Sequence, residues 1–151
     1  MPLLTLPNAF EGLYKATLQA LRTGHIQNAS KGAAQLVEVC PDFDGGWLLL
    51  SQSAQAENNM PFAVRAATQA ISRNPTNILH YVQLGRCLTA IGKTADTLKV
   101  IERIRSIGAV TAEEYDAVAT LMMGCGLYED ALDQAVSAAA LAPDAIPYKL
   151  T

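Results

Sequence analysis

The chain has 151 residues, a net charge of −3 and a sequence pI of about 5.3, enough for one domain and without the basic balance of a nucleic-acid surface. Half of its residues are hydrophobic and 17% are charged, which excludes a disordered chain. Only 6% are aromatic against 25 alanines, a composition that suits closely approaching helices and argues against a β-sandwich.

No run approaches the roughly 18 apolar residues that a membrane span needs. The opening segment, Met1 to Pro7, carries no basic residue and is interrupted by prolines, so it makes a poor secretory signal. Three cysteines, Cys40, Cys87 and Cys125, are widely spaced and contain no Cys-x-x-Cys, which fits reduced thiols in a cytoplasmic protein.

Residue types recur at a spacing of 34. Pro41, Pro75, Ala109 and Pro143 form one series, and Gly24, Asn58, Gly92 and Gly126 a second. Large residues stand at Leu13, Trp47, Tyr81 and Tyr115, and small or apolar ones at Ala29, Ala63, Thr97 and Ala131 and at Ala33, Ala67, Ile101 and Ala135. All five series keep one phase and define four units, 10–43, 44–77, 78–111 and 112–145, with 146–151 as a tail or the start of a further helix.

In chain order, the first unit predicts helices over 10–23 and 27–40, turning at Gly24. The second predicts 44–57 and 61–74, turning at Asn58, with Pro61 in the first turn of its second helix. The third predicts 78–91 and 95–107, turning at Gly92, with Thr94 as a cap. The fourth predicts 112–125 and 129–142, turning at Gly126 and opened by a capping box, Thr111 with Glu114. Gly24, Asn58, Gly92 and Gly126 are expected at positive φ, where a helix ends on a left-handed residue. The prolines mark where each second helix stops.

These units resemble the tetratricopeptide repeat. Its large-Leu-Gly pattern stands in the third unit as Tyr81-x-x-Leu84-Gly85, in the second as Trp47-x-x-Leu50-Ser51, in the fourth as Tyr115-x-x-Val118-Ala119 and, most weakly, in the first as Leu13-x-x-Ala16-Thr17. The resemblance implies an all-α, right-handed superhelical solenoid of four helix–turn–helix pairs. It further implies a concave face, lined by the first helix of each unit, that binds a peptide or a partner helix.

Inward positions carried over from the family are Tyr14 and Leu18 in the first unit, Leu48, Gln52 and Gln55 in the second, Leu79, Val82, Arg86 and Thr89 in the third, and Thr120 and Met123 in the fourth. Glu11, Leu21, Arg22, Gly45, Glu113 and Asp116 fall on the same face, with Arg86 near its centre. Some family members clamp a chaperone's C-terminal carboxylate with basic and asparagine side chains. The matching places here are Tyr14, Leu18, Leu49, Leu79 and Gln83, so that clamp is not expected.

Catalytic chemistry has no motif to stand on. Neither His-Glu-x-x-His, nor a phosphate-binding Gly-x-x-x-x-Gly-Lys, nor Gly-x-Ser-x-Gly occurs, and no set of ligands has metal spacing. His25 and His80 read as polar surface groups, and the cysteines as small buried or half-buried hydrophobes. Asp42 and Asp44 beside Gly45-Gly46 read as a turn that opens a helix, and Glu113, Glu114 and Asp116 as a solvated helix N-terminus. No catalytic residue, metal or cofactor is expected.

The expected function is therefore an adaptor for a protein or peptide segment, with no nucleic acid and no membrane insertion. The alternative is the N-terminal region of a longer bacterial enzyme, such as a tetratricopeptide-linked sulfotransferase. The helix over 129–142 shows Leu132, Val136 and Ala139 on one face without a capping helix. Coverage of that face by the tail, by a following domain or by a second copy in a homodimer is expected.

Overall fold

The computed structural model describes residues 6–141. They form eight helices: α1 (Asn8–Arg22), α2 (Ile26–Val39), α3 (Asp44–Ala56), α4 (Met60–Arg73), α5 (Ile78–Ala90), α6 (Thr94–Ile107), α7 (Ala112–Gly124) and α8 (Tyr128–Leu141). First helices end at 22, 56, 90 and 124, and second helices start at 26, 60, 94 and 128, so the phase of 34 never slips. Pro143 and residues 144–151, with the expected tail or further helix, lie outside the described residues.

The turn inside each unit is made by the residues expected. Gly24, Gly92 and Gly126 have φ of 82°, 81° and 80°, and Asn58 reaches 61°. Each is the single left-handed residue that a helix end requires. The Thr111–Glu114 capping box is also present: Thr111 Oγ1 accepts from Glu114 N–H at 3.1 Å, and Glu114 Oε1 accepts from Thr111 N–H at 3.0 Å. Thr94 does not cap α6. The left-handed Gly92 leaves only Lys93 before the first turn, so Lys93 is the N-cap and Thr94 is already helical.

Between units, large residues of the first helices tie back to the preceding turn. Trp47 Nε1 donates to the Pro41 carbonyl at 2.8 Å, and the Tyr81 hydroxyl donates to the Pro75 carbonyl at 2.7 Å. Arg73 adds a second donor to the Pro41 carbonyl at 2.8 Å and stacks its guanidinium 4.8 Å from the Trp47 ring. Small residues let the helices of a pair approach. Ala63, Ala67 and Ala70 of α4 are fully buried, and Ser51 of α3 donates to the Ala63 carbonyl at 2.7 Å.

The third junction differs from the other two. Across the first two junctions α3 meets mainly α2 and α5 mainly α4, but across the third α7 leans on α5 rather than on α6. Side-chain volume differs at this junction. Where α2 and α4 carry Ala33 and Ala67, α6 carries the larger Ile101, and Ile101 and Ile104 share one core with Val118 and Met122 of α7. On α5, Gly85 makes room for α7: a Cβ built there would sit 2.8 Å from a Leu121 methyl of α7. The connecting turn also takes another path. Cys40 and Asn74, each before a proline, have φ of −133° and −145°, whereas Gly108, before Ala109, has φ of 86°. The sequence series placed no left-handed residue at Gly108.

Candidate interaction groove

A groove of about 570 Å³ runs across α1, α3, α5 and α7. Of the expected residues, Tyr14, Leu18, Leu48, Gln52, Leu79, Val82, Arg86 and Thr120 line it, as do Leu21, Arg22, Gly45, Glu113 and Asp116. Tyr14 on one wall is braced by Phe43, which does not itself line the groove, edge-on with ring centroids 5.4 Å apart. The Phe43 ring lies across Gly45 so closely that a Cβ would meet it at 2.6 Å. Phe43 was not singled out by the sequence, because it stands in the turn before α3 and outside any helical register.

Four expected residues lie outside the groove, of which Glu11 pairs with Lys15 at 3.2 Å on its own helix. Three residues along a helix rotate about 60° away from a full turn, and near the ends of the first helices this carries the side chain toward the next unit. Gln55 accepts from Gln83 Nε2 at 2.9 Å, at the α3–α5 contact. Thr89 bonds the Gly85 carbonyl at 2.8 Å and faces Thr97 and Cys125. Met123 lines a separate hollow between α7 and α8.

Gln83 lines the groove as a buried amide, at a place where the carboxylate clamp has a basic or asparagine side chain. Its Nε2 donates to Ser51 Oγ at 3.1 Å as well as to Gln55, which joins α5 to α3. Its Oε1 is buried without a hydrogen-bond partner among the described residues. Cys87 is fully buried beside it, and burial pushes its thiol pKa up, so it does not present a thiolate at neutral pH.

Charge divides the groove along its length. Arg22 lies at the α1 end and Arg86 near the middle, while Glu113 and Asp116 stand at the α7 end. Arg86 is exposed and makes no ion pair or side-chain hydrogen bond among the described residues. Its guanidinium is thus uncommitted, with Val82 and Leu79 one and two turns before it on the same helix.

His80 corrects an expectation. It is not a surface group but only 1% exposed, with Nε2 2.6 Å from Asp44 Oδ2. The same carboxylate oxygen accepts from Asn74 Nδ2 at 3.1 Å. Asp44, the first residue of α3, therefore holds Asn74 at the end of α4 and His80 of α5 rather than capping its own helix. Burial lowers the His80 pKa despite the opposing pull of the carboxylate. Neutral His80 donates through Nε2, and its buried Nδ1 has no partner among the described residues. The dyad lies at a unit junction and does not line the groove. Among the described residues no three His, Cys, Asp or Glu side chains gather as metal ligands. No helix among them is long and apolar enough to cross a membrane.

No protein-family model matches the chain, and no curated protein sequence does. Solved structures do. A thermophilic tetratricopeptide protein of Thermus thermophilus superposes with a TM-score of 0.75 at 23% identity, over 88% of this chain and 74% of that one. The Yersinia enterocolitica type III secretion chaperone SycD, in complex with a peptide of the translocator YopD, gives 0.71 at 16% identity, over 82% and 97%. A mutant O-GlcNAc transferase of Thermobaculum terrenum gives 0.71 at 16% identity, and there the match covers 91% of this chain but 27% of the enzyme. Helix bounds, turn residues and superpositions agree: the chain folds as a tetratricopeptide-repeat solenoid.

Proposed function

We propose that the protein is an interaction module that receives an extended or helical segment of a partner protein in the groove across α1, α3, α5 and α7. The observation that carries this reading is Arg86, exposed at the middle of a groove of mixed apolar and polar lining with no partner of its own among the described residues. A planar guanidinium in that setting forks onto a guest carboxylate or backbone carbonyl, while Leu48, Leu79 and Val82 give apolar contact. The likeness to SycD, which is solved with a peptide of YopD, supports the same use of the fold. The free cysteines Cys40, Cys87 and Cys125 support a reducing, cytoplasmic setting.

A second reading makes this array the interaction region of a longer enzyme. It is favoured by the match to 27% of an O-GlcNAc transferase. The size of the native protein, read by immunoblot from its source cells, separates the two.

Selection from a displayed peptide library tests the groove. Peptides enriched on the wild-type protein should lose about 1–3 kcal/mol of affinity for Arg86→Ala, an exposed side chain, with an unchanged melting temperature. Enriched peptides that bind Arg86→Ala and Leu79→Asp as well as wild type would remove the groove from the account.

A further inference from the structure

The hollow of about 470 Å³ between α7 and α8 is a second apolar surface, separate from the main groove. Tyr128, Leu132 and Val136 follow one another at intervals of four on α8 and are 64%, 64% and 60% exposed. Met123 of α7, 53% exposed, lines the hollow with Tyr128 and Leu132, and Val136 continues the stripe beyond it. Met123 stands at the place of Gln55 and Thr89, which face the following unit, so the hollow continues the seam between units, and the fourth unit makes that seam more apolar than the earlier ones. The residues equivalent to Val136 in earlier units are Ala34, Thr68 and Glu102, small or polar in each case. The equivalents of Tyr128 include Thr94 and Met60, so only the fourth unit builds a continuous large apolar stripe here.

Charge around the stripe has one sign. Between residues 112 and 141 the chain holds six carboxylates, Glu113, Glu114, Asp116, Glu129, Asp130 and Asp133, and no Lys, Arg or His. Glu129 and Asp133 flank Leu132 on α8, and Asp116 lines the hollow from α7. The nearest cation of the preceding helix, Arg105, is already held by Asp130 at 2.9 Å and Glu102 at 3.0 Å.

We infer that this face docks a basic amphipathic helix of a partner protein, with an apolar ridge against Tyr128, Leu132, Val136 and Met123 and Lys or Arg residues on its flanks. Complementary charge selects that occupant. A second copy placed face to face would bring Glu129 and Asp133 against their own counterparts. The tail after residue 141 carries one Asp and one Lys and offers no excess of positive charge.

The test uses the full chain and three synthetic peptides of about 14 residues, roughly 21 Å as a helix. One has a leucine ridge with lysine flanks, the second the same ridge with glutamate flanks, and the third the lysine composition scrambled to abolish the ridge. Fluorescence anisotropy should show the first binding about tenfold or more tighter than either control. Leu132→Asp, an exposed and therefore foldable change checked by circular dichroism, should remove that preference. Leu98→Asp, at the equivalent place on α6, should keep it. Equal binding of the scrambled lysine peptide, or indifference to Leu132→Asp, overturns the inference. So does a dimer in sedimentation equilibrium that Leu132→Asp dissolves, which assigns the face to a second copy. Peptide binding that emerges only when the chain is cut after Leu141 assigns the face to the tail and overturns it as well.

Discussion

His80 Nε2 and Asp44 Oδ2 meet at 2.6 Å across 36 residues of sequence, and the contact joins the first helices of the second and third units. Burial holds the His80 pKa below its ordinary value of 6.5, so the folded chain prefers the neutral ring. The linked stability is fully present above about pH 6.5 and is lost as pH falls through the lower, folded value. Thermal melts of wild type should therefore weaken on acidification in that window. His80→Gln should be less stable at neutral pH, and its deficit should shrink as the solution is acidified. Asp44→Asn removes the charged acceptor of two hydrogen bonds and should cost about 2 kcal/mol at neutral pH.

Gly32 of α2 faces Thr17 of α1, and a Cβ built on Gly32 falls on the Thr17 hydroxyl. Alanine is the better helix former by about 1 kcal/mol, but the overlap costs about 1–3 kcal/mol unless Thr17 rotates away from the Leu13 carbonyl that it bonds at 2.7 Å. Gly32→Ala should therefore be neutral to destabilising. Adding Thr17→Ala should return the double variant to at least wild-type stability in urea titrations.

Gly92 separates conformation from packing, because a Cβ there would meet nothing within 4 Å while φ is 81°. Gly92→Val should cost about 1 kcal/mol or more through the backbone alone. Gly92→Asn should cost clearly less, since Asn58 already adopts φ of 61° at the equivalent turn. Equal losses for the two variants, measured by chemical denaturation, would contradict this account.

The capping box of α7 should show in both mutation and pH. Thr111→Ala should destabilise the fourth unit by about 1 kcal/mol. Burial opposes ionisation of Glu114, but the amides of Thr111 and Val110 and the Thr111 hydroxyl together hold its pKa below the usual carboxylate range. Its contribution is thus present above the ordinary carboxylate pKa and lost as pH falls through the folded one. Glu114→Gln should flatten that acid limb in circular dichroism melts.

The sequence carries the fold because each determinant is local. A helix end needs one left-handed residue, and Gly24, Asn58, Gly92 and Gly126 stand where that need recurs. The groove was legible for residues near the middle of each first helix, such as Leu48, Leu79 and Arg86. It failed for Gln55, Thr89 and Met123, whose direction depends on how the next unit is seated. His80 and Asp44 were read as surface and turn residues because their meeting is set by stacking, which no local pattern records. Gly108 escaped for a related reason: a series built on prolines marks its exception at Ala109 and not at the residue before it.

The seating of α7 on α5 has a consequence for how the molecule opens. Across its junction each earlier first helix meets mainly the second helix just before it, whereas α7 meets mainly α5, with Leu121 set against the bare backbone of Gly85. The α7–α8 hairpin is therefore expected to open as one cooperative block before the rest of the array. Amide exchange should record this as one shared opening free energy for residues 112–141, lower than that of α3 to α5. A methyl group at Gly85 should lower the value for that block alone.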